Sequence, residues 1–210
     1  MGRVRAFWLA LMLALWAGVG VAQERYQVDV TFEWRTEASI APHWSRLIGF
    51  AHSSRYKLFS DGDTATSGLG LVATNGRVTV LEAELAEGRR RGRVGEAIVL
   101  PGLPDGVGQF SFELKVSDKH TQVSFVTMLA PSPDWFSGAS GVSLRDGDAW
   151  KDRVQVPLWV WDAGVDSGPE FEGPNVPTQP QQSVRLLTHP GFLTQSGLRP
   201  IGMAVFTRLK

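Results

Sequence analysis

HTQVSFVTMLAPSPDWFSG, residues 120–138, and VPLWVWDAGVDSGPEFEGPNVPTQP, residues 156–180, decide how this chain is read. Each contains an apolar run of strand length, Val123 to Ala130 and Val156 to Trp161. Each run then breaks into a Pro- or Gly-rich segment with acidic residues, Asp134 in the first and Asp162 and Asp166 in the second. Apolar runs of about four to eight residues bounded by turn formers read as buried strands. If the two strands lie in one sandwich with these ends together, three carboxylates converge. Their mutual repulsion is relieved by a bound hard cation. The competing reading is that each Asp closes a turn or caps a strand end.

Working outward, Tyr26, Val28, Val30, Phe32 and Trp34 alternate with polar residues, the period of a half-buried strand. LIGFAHSSRYKLF, residues 47–59, is a second strand running into a turn at Asp61-Gly62-Asp63. The spacing of Leu69, Val72 and Ala73, with Gly76 beyond, predicts one or two helical turns between Thr66 and Thr74, closed by a left-handed cap. A second short helix is expected from about Val80 to Ala86, and both are read as small decorations. Phe110, Phe112, Leu114 and Val116 alternate again. Further strands are expected at Val142–Leu144, Val154–Trp161, Val184–Leu187 and Ile201–Thr207, with Pro169 to Gln181 as a long surface loop. Many short strands, frequent Gly and Pro and little helix make this all-β, an antiparallel sandwich with one or two short helices.

The 210 residues are 43% hydrophobic and 20% charged, ordinary for one globular domain. The opening MGRVRAFWLALMLALWAGVGVAQ has a basic start, a short apolar run and small residues before Gln23. This is a secretory signal peptide over residues 1–22, with cleavage after Ala22 and a single domain over 23–210. The apolar run is shorter than the roughly 20 residues a membrane span needs. Losing Arg3 and Arg5 turns a net charge of 0 into −2, which provides no global field for nucleic acid. Cysteine is absent, so a secreted or periplasmic chain of this kind holds together by its core.

GRRRGR, residues 88–93, reads as a solvated connection, with polyanion binding as the alternative. Asp61-Gly62-Asp63 and Asp146-Gly147-Asp148 are hairpin turns first and acidic sites second. Ser140 lacks the final glycine of a nucleophile elbow and sits in an all-β context. The four histidines, His43, His52, His120 and His189, have no metal-site spacing.

VSFVTMLAPSPDWFSGASGVSL followed by WVWDAGVDSGPEFEGPNVPTQP resembles the spondin domain family, the amino-terminal domain type of F-spondin and mindin, also found in bacterial exported proteins. Weaker agreement at LIGFAHSSRYKLF and SGLGLVATNG extends the resemblance over nearly all of residues 23–210. It implies a C2-like sandwich holding one divalent cation, usually Ca2+. Asp134 matches the aspartate of the family's PSPDWF motif, and Asp162 and Asp166 match those of WDAGxDSG. Trp135, Trp161 and Ser167 are supporting or ligand-facing candidates. The chain has no cysteine, and Arg145 stands where animal members tend to carry one. The fold and cation site carry over; the animal partners do not.

Calcium suits the site because it accepts about six to eight mixed oxygen ligands, whereas zinc favours His or Cys. The function expected is therefore a non-enzymatic, calcium-binding adhesion or ligand-recognition module. Its partner is an extracellular protein or glycan. The alternatives are a metal-assisted hydrolase and a calcium-dependent lipid- or glycan-binding domain.

Overall fold

The computed structural model describes residues 23–35 and 40–210, so the expected signal peptide lies outside the described residues. In chain order the elements are β1 (Gln23–Glu33), β2 (His43–Trp44), β3 (Leu47–His52), α1 (Ser67–Asn75), α2 (Thr79–Arg90), β4 (Val94–Leu100) and β5 (Val107–Ser117). They continue with β6 (Gln122–Ala130), β7 (Trp135–Ser143), β8 (Arg145–Asp146), β9 (Ala149–Trp150), β10 (Arg153–Leu158), β11 (Val160–Asp162) and β12 (Arg185–Leu186). A 3-10 turn, Pro190–Phe192, precedes β13 (Leu193–Thr194), β14 (Gly197–Leu198) and β15 (Gly202–Leu209).

Two antiparallel sheets face each other. One has four strands in the order β10-β15-β1-β5; the other has seven, β12-β11-β7-β6-β3-β4 with β2 added on β6. The alternation in β1 places Tyr26, Val28, Val30 and Phe32 inward with no exposed surface. They meet Phe110, Phe112 and Leu114 of β5 and Val123, Phe125 and Leu129 of β6 in the core between the sheets. On the outer face of the larger sheet, Ile48, Phe50, Val126 and Phe136 pack against Leu69, Val72, Leu81 and Leu85 of the two helices. β6 is thus covered on both faces, which is why its sequence is apolar at nearly every position rather than alternating.

The helices are a third layer and not decorations. α2 runs twelve residues, well past the expected end at Ala86, and carries Gly88, Arg89 and Arg90 of the GRRRGR segment in its last turn. α1 is capped as expected: Thr66 Oγ1 accepts from Leu69 N–H at 3.2 Å, and Gly76 closes the helix at φ +67°. Glu84 of α2 reaches across to accept from Gly68 N–H at 2.8 Å and from the Thr66 hydroxyl at 2.7 Å, so one helix caps the other.

Four strand readings change, the first being that the strand expected over residues 47–59 ends at His52. Val154–Trp161 is two strands, because the chain leaves β10 in the smaller sheet and enters β11 in the larger one at Trp159. Pro157 is tolerated because β10 is an edge strand, where one missing N–H goes unpaired. The strand expected at Val142–Leu144 begins at Trp135, immediately after Asp134. β4 was not anticipated: VGEAIVL lacks clean alternation, since as an edge strand it is only half covered.

Candidate metal centre

β6, β7 and β11 are successive antiparallel neighbours, so the exit of β6 and the end of β11 lie at one end of the sheet. Asp162 pairs in register with Trp135, the residue after Asp134. The Ser132 hydroxyl shapes the first loop by accepting from Trp135 N–H at 3.1 Å and donating to the Leu129 carbonyl. Asp134 is completely buried. Its Oδ2 accepts from Val165 N–H at 2.8 Å and Asp166 N–H at 3.0 Å, tying the first loop to the second. Its Oδ1 is buried and has no hydrogen-bond partner among the described residues.

Asp162 Oδ1 accepts from Gly164 N–H at 2.8 Å, while Oδ2 takes Nε and Nη2 of Arg185 at 3.2 and 3.0 Å. Gly164 is required here: its φ is +71°, and a Cβ would fall 2.3 Å from the Gln182 carbonyl oxygen. Asp166 Oδ1 accepts from Gly168 and Val176 N–H, both at 2.9 Å. Its second oxygen takes no hydrogen bond from the described residues. Each aspartate therefore spends one oxygen on loop backbone and leaves another for something else.

The electrostatics agree with that geometry. Burial pushes the Asp134 carboxyl up to about 6, with the Asp162 and Asp166 charges adding to the rise and the two backbone N–H groups opposing it. A buried carboxylate with one unpartnered oxygen and two like-charged neighbours is short of positive charge. Arg185 supplies part of it, from a side chain 60% exposed against 8% for its partner Asp162.

Among the described residues no group of three or more His, Cys, Asp or Glu side chains stands close enough to hold a metal ion as they are. Arg185 occupies Oδ2 of Asp162. The donors themselves, all hard oxygens, match calcium rather than zinc.

A pocket of about 440 Å³ opens on this end, lined by Trp135, Asp162, Asp166, Ser167, Arg185 and His189 among others. Trp135 is 2% exposed and packs with ring centroids 4.9 Å from His189 and 6.1 Å from Phe171, so it supports the loops. Trp161 points to the helix side, 5.3 Å from Phe59. Ser167 binds its own loop, N–H and hydroxyl both donating to the Val176 carbonyl at 2.8 and 3.1 Å. The sequence reading did not single out Arg185 and set His189 aside, yet both line the pocket. Arg185 reaches Asp162 through the β11–β12 pairing; the strand at Val184–Leu187 was expected, but nothing in its sequence names β11 as its neighbour.

The architecture defines a β-sandwich module with an aspartate-lined pocket at its strand ends. The family model described as Spondin_N matches residues 24–192, and the chain belongs to that family. It is 35% identical over 204 residues to Spondin-2 of Rattus norvegicus, covering 89% of this chain and 62% of that protein. Spondin-2 of Homo sapiens is 34% identical, with 90% and 62% covered. Spondin-1 of Gallus gallus is 35% identical over 157 residues, 70% of this chain and 19% of the relative. The chain spans less than two thirds of the length of these relatives. β15 lies beyond the matched span yet sits between β1 and β10, so the sandwich is completed only at Leu209.

Proposed function

We propose that this chain is an exported adhesion or ligand-recognition module whose acidic end pocket takes one calcium ion. The observation that carries the reading is the buried, unpartnered Oδ1 of Asp134 beside Asp162 and Asp166. Asp134, Asp162 and Asp166 would hold the ion, which supplies the positive charge they lack. Asp134 already joins the β6–β7 loop to the 162–166 segment, and Asp166 anchors the loop beyond it through Val176. Neutralising these groups fixes both loops in one shape, and a fixed loop surface binds a partner with less loss of entropy. The partner is an extracellular protein or glycan. Export through the signal peptide, with cleavage after Ala22, belongs to the same reading. Among the described residues no helix is long and apolar enough to cross a membrane.

The module acts without catalysis. Ser167 donates its hydroxyl to a carbonyl, and His189 Nδ1 accepts from Gly191 N–H at 3.1 Å, so these two groups do not form a nucleophile–base pair.

Thermal unfolding with calcium and with chelator, for the wild type and Asp162→Asn, tests the site. Calcium at about 100 times its dissociation constant adds about 2.7 kcal/mol, a shift of several degrees. The variant's shift is expected to vanish. A wild type that does not shift with calcium, magnesium or manganese refutes the proposal.

A further inference from the structure

The arginine-rich segment acquires a setting in the fold that its sequence alone did not reveal. α2 ends at Arg90, the chain turns through Arg91 and Gly92, and β4 leaves along the edge of the larger sheet. Beside it runs β5, the edge strand of the smaller sheet, and the turn from β5 to β6 carries Lys119 and His120. A groove of about 490 Å³ lies between these edges, lined by Arg89, Lys115, Lys119 and His120 with Glu96 as the one carboxylate. Arg93 flanks it, exposed.

Three carboxylates around this groove are already in ion pairs. Glu87 pairs with Arg90 and Arg91, Glu113 with Arg25 at 3.2 Å, and Asp118 with Arg145. Among the described residues, none of Arg89, Arg93, Lys115 and Lys119 has an ion-pair partner. Several contacts fix the floor of the groove. Arg89 Nε donates to the Gly95 carbonyl at 3.0 Å, His120 Nε2 lies 3.2 Å from the Gly92 carbonyl, and Glu96 accepts from Lys115 N–H at 2.5 Å. Four unpaired cations against one carboxylate, on a chain whose net charge is zero, form a local positive site.

We propose that this groove binds a linear anionic polysaccharide, a glycan bearing carboxylate or sulfate groups. Two features of its lining choose that class. A bilayer is gripped by apolar side chains projecting from the rim, whereas Val94 and Val116 here are buried. Single-stranded nucleic acid is gripped by exposed aromatic rings on which bases stack, and among the described residues no Phe, Tyr or Trp lines this groove. What the groove offers is spaced, exposed cationic side chains along a concave track, which match repeated anions on a flexible chain. The site lies at the start of β6, and the aspartate pocket at its far end is about 30 Å away along nine residues of strand. The two ends can therefore be occupied independently.

The test is binding of the purified protein to immobilised dextran sulfate and to polygalacturonate at low salt, with affinity followed as sodium chloride rises. Wild type binds at least one of these, and affinity falls as salt rises. Arg89→Ser combined with Lys119→Ser lowers affinity about 10- to 30-fold, since each cation near an anionic surface is worth about fivefold. Arg90→Ser with Arg91→Ser, whose side chains are held on Glu87 and do not line the groove, leaves affinity within about threefold. Asp162→Asn, which acts in the acidic pocket, leaves polymer affinity unchanged and so separates the two sites. The arginine and lysine variants are exposed-surface changes whose folding is checked by an unaltered unfolding midpoint. Failure of the wild type to bind either polymer, or equal losses in the two arginine-containing pairs, overturns the proposal. Tighter binding of anionic vesicles or oligonucleotides through Arg89 and Lys119 overturns the assigned ligand class.

Discussion

Asp134→Asn separates the charge of the central aspartate from its shape. The wild-type carboxyl moves from 3.8 to about 6 on folding, chiefly through burial and then through Asp162. That difference is worth about 3 kcal/mol. The folded state binds the proton more tightly than the unfolded chain, so calcium-free protein loses stability as pH rises from about 4 through about 6, and above that the loss is complete. The Asn oxygen still accepts from Val165 and Asp166 N–H, but its amide has no partner at the position of Oδ1, which costs about 1–3 kcal/mol. In chelator at pH 7.5 the variant is therefore between equal to wild type and about 2 kcal/mol more stable. At pH 4.5 it is the less stable of the two. Urea unfolding at both pH values, with and without calcium, reads all of this, and the wild-type-minus-variant difference cancels titration elsewhere. Calcium stabilises the wild type and not the variant. A variant about 2 kcal/mol less stable than wild type in chelator at pH 7.5, with no pH dependence in the difference, refutes the reasoning: Asp134 would then be a structural hydrogen-bond acceptor only.

Arg185→Gln removes the cation that holds Asp162 Oδ2, so calcium affinity measured by titration calorimetry rises about three- to tenfold while calcium-free stability falls by about 1 kcal/mol; weaker calcium binding would show that Arg185 assists the site instead of competing for it. Leu81→Ala, in α2 with no exposed surface, costs about 2–5 kcal/mol by denaturant unfolding, and a loss below about 1 kcal/mol would return the helices to the status of decorations.

The three aspartates of the candidate site are legible in the sequence, because their signals are local. Asp134, Asp162 and Asp166 stand in Pro- and Gly-rich segments directly after apolar runs, and the strands that lead into those segments, β6 and β11, lie on either side of β7. Arg185 was invisible because its role depends on a pairing 23 residues away. The basic groove was half legible: GRRRGR was noticed, but nothing in that segment announces Lys115 and Lys119, which come from a different sheet edge.

By itself the sequence determined the all-β class, the strands with period-2 alternation, the glycine cap at Gly76 and the family, since each rests on neighbouring residues or on motifs of a few residues. The tertiary structure alone decided that the helices form a third layer, that the chain changes sheets at Trp159, and that one oxygen of Asp134 is left buried without a partner. Those are outcomes of which surfaces meet, and burial and charge compensation arise only between segments that the fold brings together.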